Sequence, residues 1–176
     1  MRTVTYGAAC SLDGFIAGQE GNMDWLHFSS DVHAIVGAYW KTIDAIVMGR
    51  KTWSQAAAQG GGPSGASNEI KTYVFSRTLN EIAAKEVELV RSDPGNFVLE
   101  LKRQKGKGIC VMGGGELGKA LFQAGVIDEV GLNIHPLLLG SGVPLFPEIG
   151  RRVELELLET RRLEGGCVLA NYKVRH

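Results

Sequence analysis

The stretch from Gly108 to Gly118 constrains the fold of this chain more than any other part of the sequence. Four uninterrupted apolar residues, from Ile109 to Met112, predict a strand that is buried on both faces. Three glycines follow, and apolar residues then recur at helical spacing until Gly125, which predicts the end of a helix. A strand, a glycine turn and a helix in succession favour a phosphate site, because glycine lets a ligand approach the backbone and the helix start presents free N–H groups.

The residues of this unit allow two other interpretations. The turn could be structural and bind nothing. The segment from Gly113 to Gly118 also matches G-x-G-x-x-G, but a doubly wound dinucleotide-binding domain places an acidic residue about 20 residues later, at the end of a second strand. Asp128 and Glu129 come earlier and begin a strand instead. We therefore exclude a standard doubly wound domain and retain the phosphate turn.

Composition narrows the class of protein. A chain of 176 residues predicts one domain spanning 1–176. Its 19 basic and 19 acidic residues cancel, which argues against a nucleic-acid partner. No apolar run is long enough to span a membrane, and the first residues lack a signal-peptide core, so we expect no membrane partner and a cytoplasmic location. The three cysteines are far apart and the four histidines lack ligand spacing, so we expect reduced thiols and no metal site.

The order of the predicted elements gives the fold class. Strands and helices alternate first, and two alternating strands joined through Gly165-Gly166 come last. This order predicts an α/β fold with a mixed, mostly parallel sheet, helices on both faces and a C-terminal antiparallel hairpin. We predict strands at 4–10 (continued by 11–17), 45–48, 72–75, 87–90 near an edge, 109–112, 128–135, 153–161 and 167–174, helices at 32–43, around 97–101 and at 116–124, and a glycine-rich loop at 59–68.

Anion-binding groups follow three of the predicted strands. They are Gly49 to Thr52, Ser76-Arg77 and Gly113 to Gly115. Because the carboxyl ends of parallel strands meet at one edge of a sheet, we expect these groups to lie together. Helix-start N–H groups suit a pyrophosphate, and an arginine with a hydroxyl suits the additional 2′-phosphate of NADPH.

These motifs resemble a known family. Val-Met-Gly-Arg-Lys-Thr-Trp at 47–53, followed by Val-Met-Gly-Gly-Gly at 111–115, is similar to the dihydrofolate-reductase-like fold family. Ser-Leu-Asp-Gly-Phe-Ile-Ala at 11–17 is more similar to the reductase domain of the bacterial riboflavin-pathway deaminase-reductase. The resemblance covers nearly the whole chain. It implies a three-layer dihydrofolate-reductase-like fold, NADPH as cofactor, a small-molecule substrate and a homodimer.

The resemblance also implies roles for individual residues. The implied NADPH contacts are Gly49, Arg50 and Thr52 for the adenosine side, Ser76 and Arg77 for the 2′-phosphate, Gly113, Gly114, Gly115, Glu116 and Leu117 for the pyrophosphate and nicotinamide, and Ile16 and Ala17 for the other side of the nicotinamide. The loop from Gly18 to Trp25 would be a mobile lid.

Two aspartates are candidate catalytic residues. Asp31 follows Trp25 at nearly the spacing at which dihydrofolate reductases place the acid that binds the pterin, but Ser-Ser-Asp before an apolar helix is also an ordinary helix N-terminus. The residue that matches Asp13 lies beside the substrate in riboflavin-type reductases, but Asp-Gly is also a turn dipeptide. Trp25 is the aromatic residue that we expect near a flat heterocycle. We expect His27, His33 and His135 to be exposed or loop residues.

The implied reaction is hydride transfer to the ribosyl carbon of 5-amino-6-(5-phosphoribosylamino)uracil. The zinc signature of the deaminase partner is absent, and no further basic cluster for a phosphorylated substrate is evident. A dihydrofolate or other pterin reductase, with Asp31 as the acid, and a nucleotide-binding module without turnover are the alternatives. We also expect Gly114→Ala to abolish NADPH binding at a stability cost of about 1 kcal/mol, because its methyl group would meet the cofactor.

Overall fold

The computed structural model describes residues 1–58, 70–84, 86–146 and 148–176, so the predicted glycine-rich loop at 59–68 lies outside the described residues. The helices are α1 (Ser30–Trp40), α2 (Arg50–Ala58), α3 (Pro94–Arg103) and α4 (Gly115–Gln123). The strands are β1 (Val4–Ser11), β2 (Phe15–Ala17), β3 (Ile43–Gly49), β4 (Lys71–Phe75), β5 (Val87–Val90), β6 (Gly108–Met112), β7 (Glu129–His135), β8 (Val143–Pro144), β9 (Leu155–Arg162) and β10 (Val168–Val174).

Eight of these strands form one sheet in the order β5-β4-β3-β6-β1-β7-β10-β9. The first six run parallel to one another, and β10 pairs antiparallel with both β7 and β9. The predicted mixed sheet with its C-terminal hairpin is therefore confirmed, as is the position of β5 at an edge. The short antiparallel pair of β2 with β8 was not predicted.

The helices cover both faces of the sheet and make three layers. One face carries the larger core, in which Tyr6, Val47 and Val111 pack with apolar residues of α3 and α4. The opposite face packs Ile46 and Met48 against aromatic residues of α1 and α2. Strands that are apolar on both faces are expected when helices cover both sides of a parallel sheet.

The end of α1 differs from the sequence prediction. The predicted helix ran to Ile43, but α1 ends at Trp40 and Ile43 is the first residue of β3. Thr42 terminates the helix because both its backbone N–H and its hydroxyl donate to the carbonyl of Tyr39, at 2.9 and 2.7 Å. Ile43 fits the apolar spacing of the helix, yet it is buried and pairs with Gly108 of β6.

Candidate functional site

The glycine turn joins β6 to α4 as predicted. Gly113 and Gly115 have φ angles of +87° and +69°, in the left-handed region that side chains disfavour. Gly114 is the N-cap residue of α4, and no side chain caps the helix there. The first N–H groups of α4 are therefore left for another acceptor, and a helix start of this kind favours an anion.

The turn meets the start of α2 at the same edge of the sheet. β3 and β6 are hydrogen-bonded neighbours, and Met48 is in register with Met112. A β-carbon on Gly113 would overlap the hydroxyl oxygen of Thr52, and one on Gly49 would lie 4.0 Å from Cβ of Leu117. The structure thus brings together the two glycine motifs that the sequence separates by about 60 residues.

The surroundings of Gly114 change the expectation for an alanine at this position. A β-carbon there would lie 3.1 Å from Cδ1 of Ile16 and 3.2 Å from the carbonyl oxygens of Pro144 and Leu145. Two of these three neighbours are backbone atoms, which cannot move away as a side chain can. The methyl group of Gly114→Ala would therefore meet protein, and the substitution tests packing as much as cofactor binding.

Gly115 differs from its two neighbours. A β-carbon on Gly115 would have no atom of the described residues within 4 Å, so among these residues the first position of α4 faces open space. Glu116 is exposed in the same helical turn, whereas Leu117 is only 7% exposed and belongs to the core. Open space in front of an uncapped helix start is the place where these residues could hold a phosphate group.

Tyr6 fixes the apolar side of the turn. Its hydroxyl donates to the carbonyl of Leu145 at 2.6 Å, and its ring stacks on Phe146 with centroids 5.8 Å apart. Tyr6 also packs closely on α4, where a β-carbon on Gly118 would lie 3.0 Å from the tyrosine ring. The segment at 143–146 is therefore tied to the core beside Ile16, while Ala17 is buried and pairs with Val143.

The predicted phosphate-binding side chains lie at the ends of β3 and β4. Arg50 is the first residue of α2, and both Arg50 and Arg77 are exposed. Within the described part of the chain, neither guanidinium makes a hydrogen bond or an ion pair with another residue. The hydroxyl oxygen of Ser76 accepts from the backbone N–H groups of Thr78 and Leu79, at 3.2 and 3.0 Å, so it shapes the turn that carries Arg77.

Asp13 holds a loop that is distant in sequence. Its carboxylate accepts from the Ser11 hydroxyl at 2.6 Å and from the backbone N–H groups of Gly140 and Leu139 at 2.8 and 3.1 Å. The Ser11 hydroxyl, followed by these N–H groups, lowers the pKa of Asp13. Asp13 is therefore anionic at neutral pH and anchors the loop that follows β7.

Asp31 makes the same kind of contact at the start of α1. Its carboxylate accepts from the Ser29 hydroxyl and from the backbone N–H groups of Val32 and Glu164, the latter two at 2.8 Å. The Ser29 hydroxyl and then the Glu164 N–H lower the pKa of Asp31. These contacts tie α1 to the turn between β9 and β10. The catalytic roles of Asp31 and Asp13 stay predictions.

The predicted lid runs beside this edge and has few anchors. Gln55 of α2 donates to the carbonyl of Gly21 at 3.2 Å, and Gln19 donates to the Ser141 hydroxyl at 3.1 Å. Trp25 is half-buried, and its ring packs against His135 with centroids 5.2 Å apart. Trp25 therefore lies at the end of β7, beside the end of β1.

The expectation for His135 was wrong. His27 and His33 are exposed as expected, but His135 is only 1% exposed and is the last residue of β7. It lies in register with Ser11 at the carboxyl edge of the sheet. The signal was present in the sequence, because Val130, Leu132 and Ile134 alternate toward the core and so place His135 on the face that α1 covers.

Comparison with known proteins supports this description. The family model of the RibD C-terminal domain matches residues 2–169. The uncharacterized protein YyaP of Bacillus subtilis is 34% identical over 97% of this chain and 94% of its own.

Two solved structures share the fold. A protein from Shewanella sp. PV-4, provisionally assigned to riboflavin biosynthesis, has a TM-score of 0.85 at 24% identity and covers 99% of both chains. The dihydrofolate reductase of Enterococcus faecalis, solved with NADP(H), has a TM-score of 0.70 at 21% identity and covers 99% of this chain and 97% of its own. The fold is therefore that of dihydrofolate reductase, and the chain belongs to the RibD C-terminal domain family.

Proposed function

We propose that this protein is an NADPH-dependent reductase that acts on a pyrimidine such as 5-amino-6-(5-phosphoribosylamino)uracil. The observation that carries the proposal is the uncapped start of α4, which faces open space at Gly115 next to the start of α2. The family model and the motif at 11–17 support the riboflavin-type substrate over a pterin.

The residues present fit NADPH. In the proposal, the N–H groups of the turn from Gly113 to Gly115 hold the pyrophosphate, and Arg50 and Arg77 hold the adenosine and 2′-phosphate side. Both guanidinium groups lack protein partners within the described ranges, which leaves them free for phosphate oxygens. Ile16, which is partly exposed, supplies apolar surface next to the turn and would exclude water from the nicotinamide. NADPH, when bound, supplies the hydride.

The protein must also place a proton near the reduced substrate. Asp13 and Asp31 are the acidic candidates, and their lowered pKa values make both of them anionic at pH 7. An anionic carboxylate does not give a proton of its own, so in this proposal either aspartate would orient a water molecule that gives the proton. Trp25 would pack against the pyrimidine ring.

We also infer that the protein is a homodimer and works in a reducing compartment such as the cytoplasm. Leu157 and Leu158 of the edge strand β9 are 54% and 51% exposed among the described residues. Exposed apolar residues in such a group favour an interface. Cys10, Cys110 and Cys167 are all free and buried, as expected for a reducing compartment.

The experiment is NADPH oxidation by the purified protein with 5-amino-6-(5-phosphoribosylamino)uracil and, separately, with dihydrofolate. Turnover of the uracil compound is the expected result. Turnover of dihydrofolate alone would support the reductase activity and would show that the substrate is a pterin and not the uracil compound. Tight NADPH binding with no turnover of either compound would favour a nucleotide-binding module, and failure to bind NADPH would overturn the proposal.

A further inference from the structure

The ring of His135 is held on several sides. Its Nδ1 lies 3.5 Å from Sγ of Cys167, and its Nε2 lies 3.3 Å from the side-chain nitrogen of Asn133. Trp25 packs against it with an interplanar angle of 83°. Cys167, which follows the turn between β9 and β10, packs in one apolar cluster with Val32 of α1. These contacts hold the His135 ring in place, and Trp25 is the lid residue that packs against it.

Within the described ranges, two side-chain hydrogen bonds join the rest of the lid to other elements. The hydrogen bonds from Gln55 and Gln19 are both exposed to solvent. Segments with few buried contacts and exposed hydrogen bonds open locally at low cost. The indole N–H of Trp25 and Oδ1 of Asn133 are also buried without a partner within the described part of the chain, which further weakens the closed arrangement. Among the described residues, the ring contact with His135 is the aromatic packing that attaches Trp25 to the end of β7.

The surroundings of His135 suit only the neutral ring. Burial, and to a smaller extent the nearby His27, lowers the pKa of His135. The described residues give it no carboxylate partner, since Asp13 is bonded to Ser11 and the 139–140 loop, and Asp31 is bonded to its own helix start and Glu164. A buried cation without a counter-charge is costly, and a cation–π contact with Trp25 would recover only part of that cost.

We propose that neutral His135 is a positioning residue that holds Trp25 at the carboxyl edge of the sheet, and that protonation of His135 releases Trp25 and opens the lid. The substrate contact made by Trp25 rests on the proposed function, but the opening itself does not. The sign follows from the burial of the neutral ring. The closed form is fully favoured above the ordinary histidine pKa of about 6.5, and its ratio to the open form falls about tenfold per pH unit as the pH drops from there toward the lowered pKa.

Acrylamide quenching of tryptophan fluorescence in the ligand-free protein tests this inference, with far-UV circular dichroism to show that the fold persists at each pH. The expected result is a rise in quenching between pH 7.5 and the acid side of the transition. The rise should be absent in Trp25→Phe, which would assign it to Trp25 and not to Trp40 or Trp53. It should also be absent in His135→Gln, which cannot be protonated, and present in His27→Gln.

Two outcomes would overturn the inference: a rise that survives in His135→Gln, or constant shielding of Trp25 down to the acid limit of the folded protein. If His135→Gln does not fold, the parent and His27→Gln still test the inference. Loss of the transition in His27→Gln would assign the transition to His27 and would overturn the inference. No substrate or cofactor enters these measurements, so their failure is separate from failure of the reductase proposal.

Discussion

Gly115→Ala should separate cofactor binding from folding. Gly115 has a φ angle of +69°, and its β-carbon would have no atom within 4 Å in the part of the chain that the structure describes. A methyl group added there therefore meets only the backbone cost of an alanine in the left-handed region. That cost is about 1–2 kcal/mol, and each kcal/mol lowers the melting temperature of a domain of this size by roughly 2–4 °C. The same methyl group would project into the open space in which we place the pyrophosphate.

The expected effect on NADPH is larger than the effect on stability. One lost charge-assisted hydrogen bond costs about 1.5–3 kcal/mol, which corresponds to about ten- to a hundredfold weaker binding. Gly165→Ala is the matched control, because Gly165 has a φ angle of +72°, lies in the hairpin turn, and likewise has no described atom within 4 Å of its β-carbon.

The assay pairs thermal melting with NADPH titration for both variants. Similar losses of melting temperature, with weakened NADPH binding in Gly115→Ala alone, would support the site. Unchanged NADPH affinity in folded Gly115→Ala would refute the placement of the pyrophosphate at α4. Gly114→Ala should lose more stability than either variant, because its methyl group would press on the backbone of the 144–145 segment.

Three further predictions follow from the site and the surface. Arg77→Ala should weaken NADPH about ten- to a hundredfold and leave NADH nearly unchanged, with Arg103→Ala as the control in parallel titrations; equal effects on the two cofactors would remove Arg77 from the 2′-phosphate site. Because the folded pKa of Asp13 and of Asp31 is lowered, both stabilise the fold above about pH 4 and lose this effect as the pH falls further, so melting of the asparagine variants should differ from the parent at pH 7 and converge in acid. Light scattering should give a dimer for the parent at micromolar concentration and a monomer for Leu157→Glu, and a monomeric parent would exclude the homodimer.

The sequence predicted the features that depend on neighbouring residues. The strand, glycine turn and helix around Gly114 follow from apolar runs and from the conformational freedom of glycine, and both are local properties. The mixed sheet follows from the order of the elements. Parallel strands need a long connection, usually a helix, whereas two strands joined by a short turn pair antiparallel. The contact between Thr52 and Gly113 was predictable only from the general rule that the carboxyl ends of parallel strands lie at the same edge of a sheet.

Features that depend on distant partners were not predictable from one sequence. Asp31 bonds to Glu164, which is 133 residues away, and Asp13 bonds to Gly140, which is 127 residues away. The residues next to either aspartate in the sequence do not indicate that its carboxylate accepts hydrogen bonds from backbone N–H groups far along the chain. Ile43 was assigned to α1 because its spacing fits both a helix and the following strand, and the Thr42 hydrogen bonds that decide between them are visible only in three dimensions.

The central position of β1 has a consequence for how the chain folds during synthesis. Val4 and Tyr6, which are fully buried, belong to a strand that pairs with residues 109–112 on one side and 129–135 on the other. During synthesis β1 therefore has neither of its neighbours in the sheet until residues 109–112 have been made. Pairing over such distances is slow, and an apolar strand that waits for its partners is open to aggregation. A nascent chain that stalls before Met112 keeps this strand exposed, so ribosome pausing between β1 and Met112 would require chaperone protection of β1.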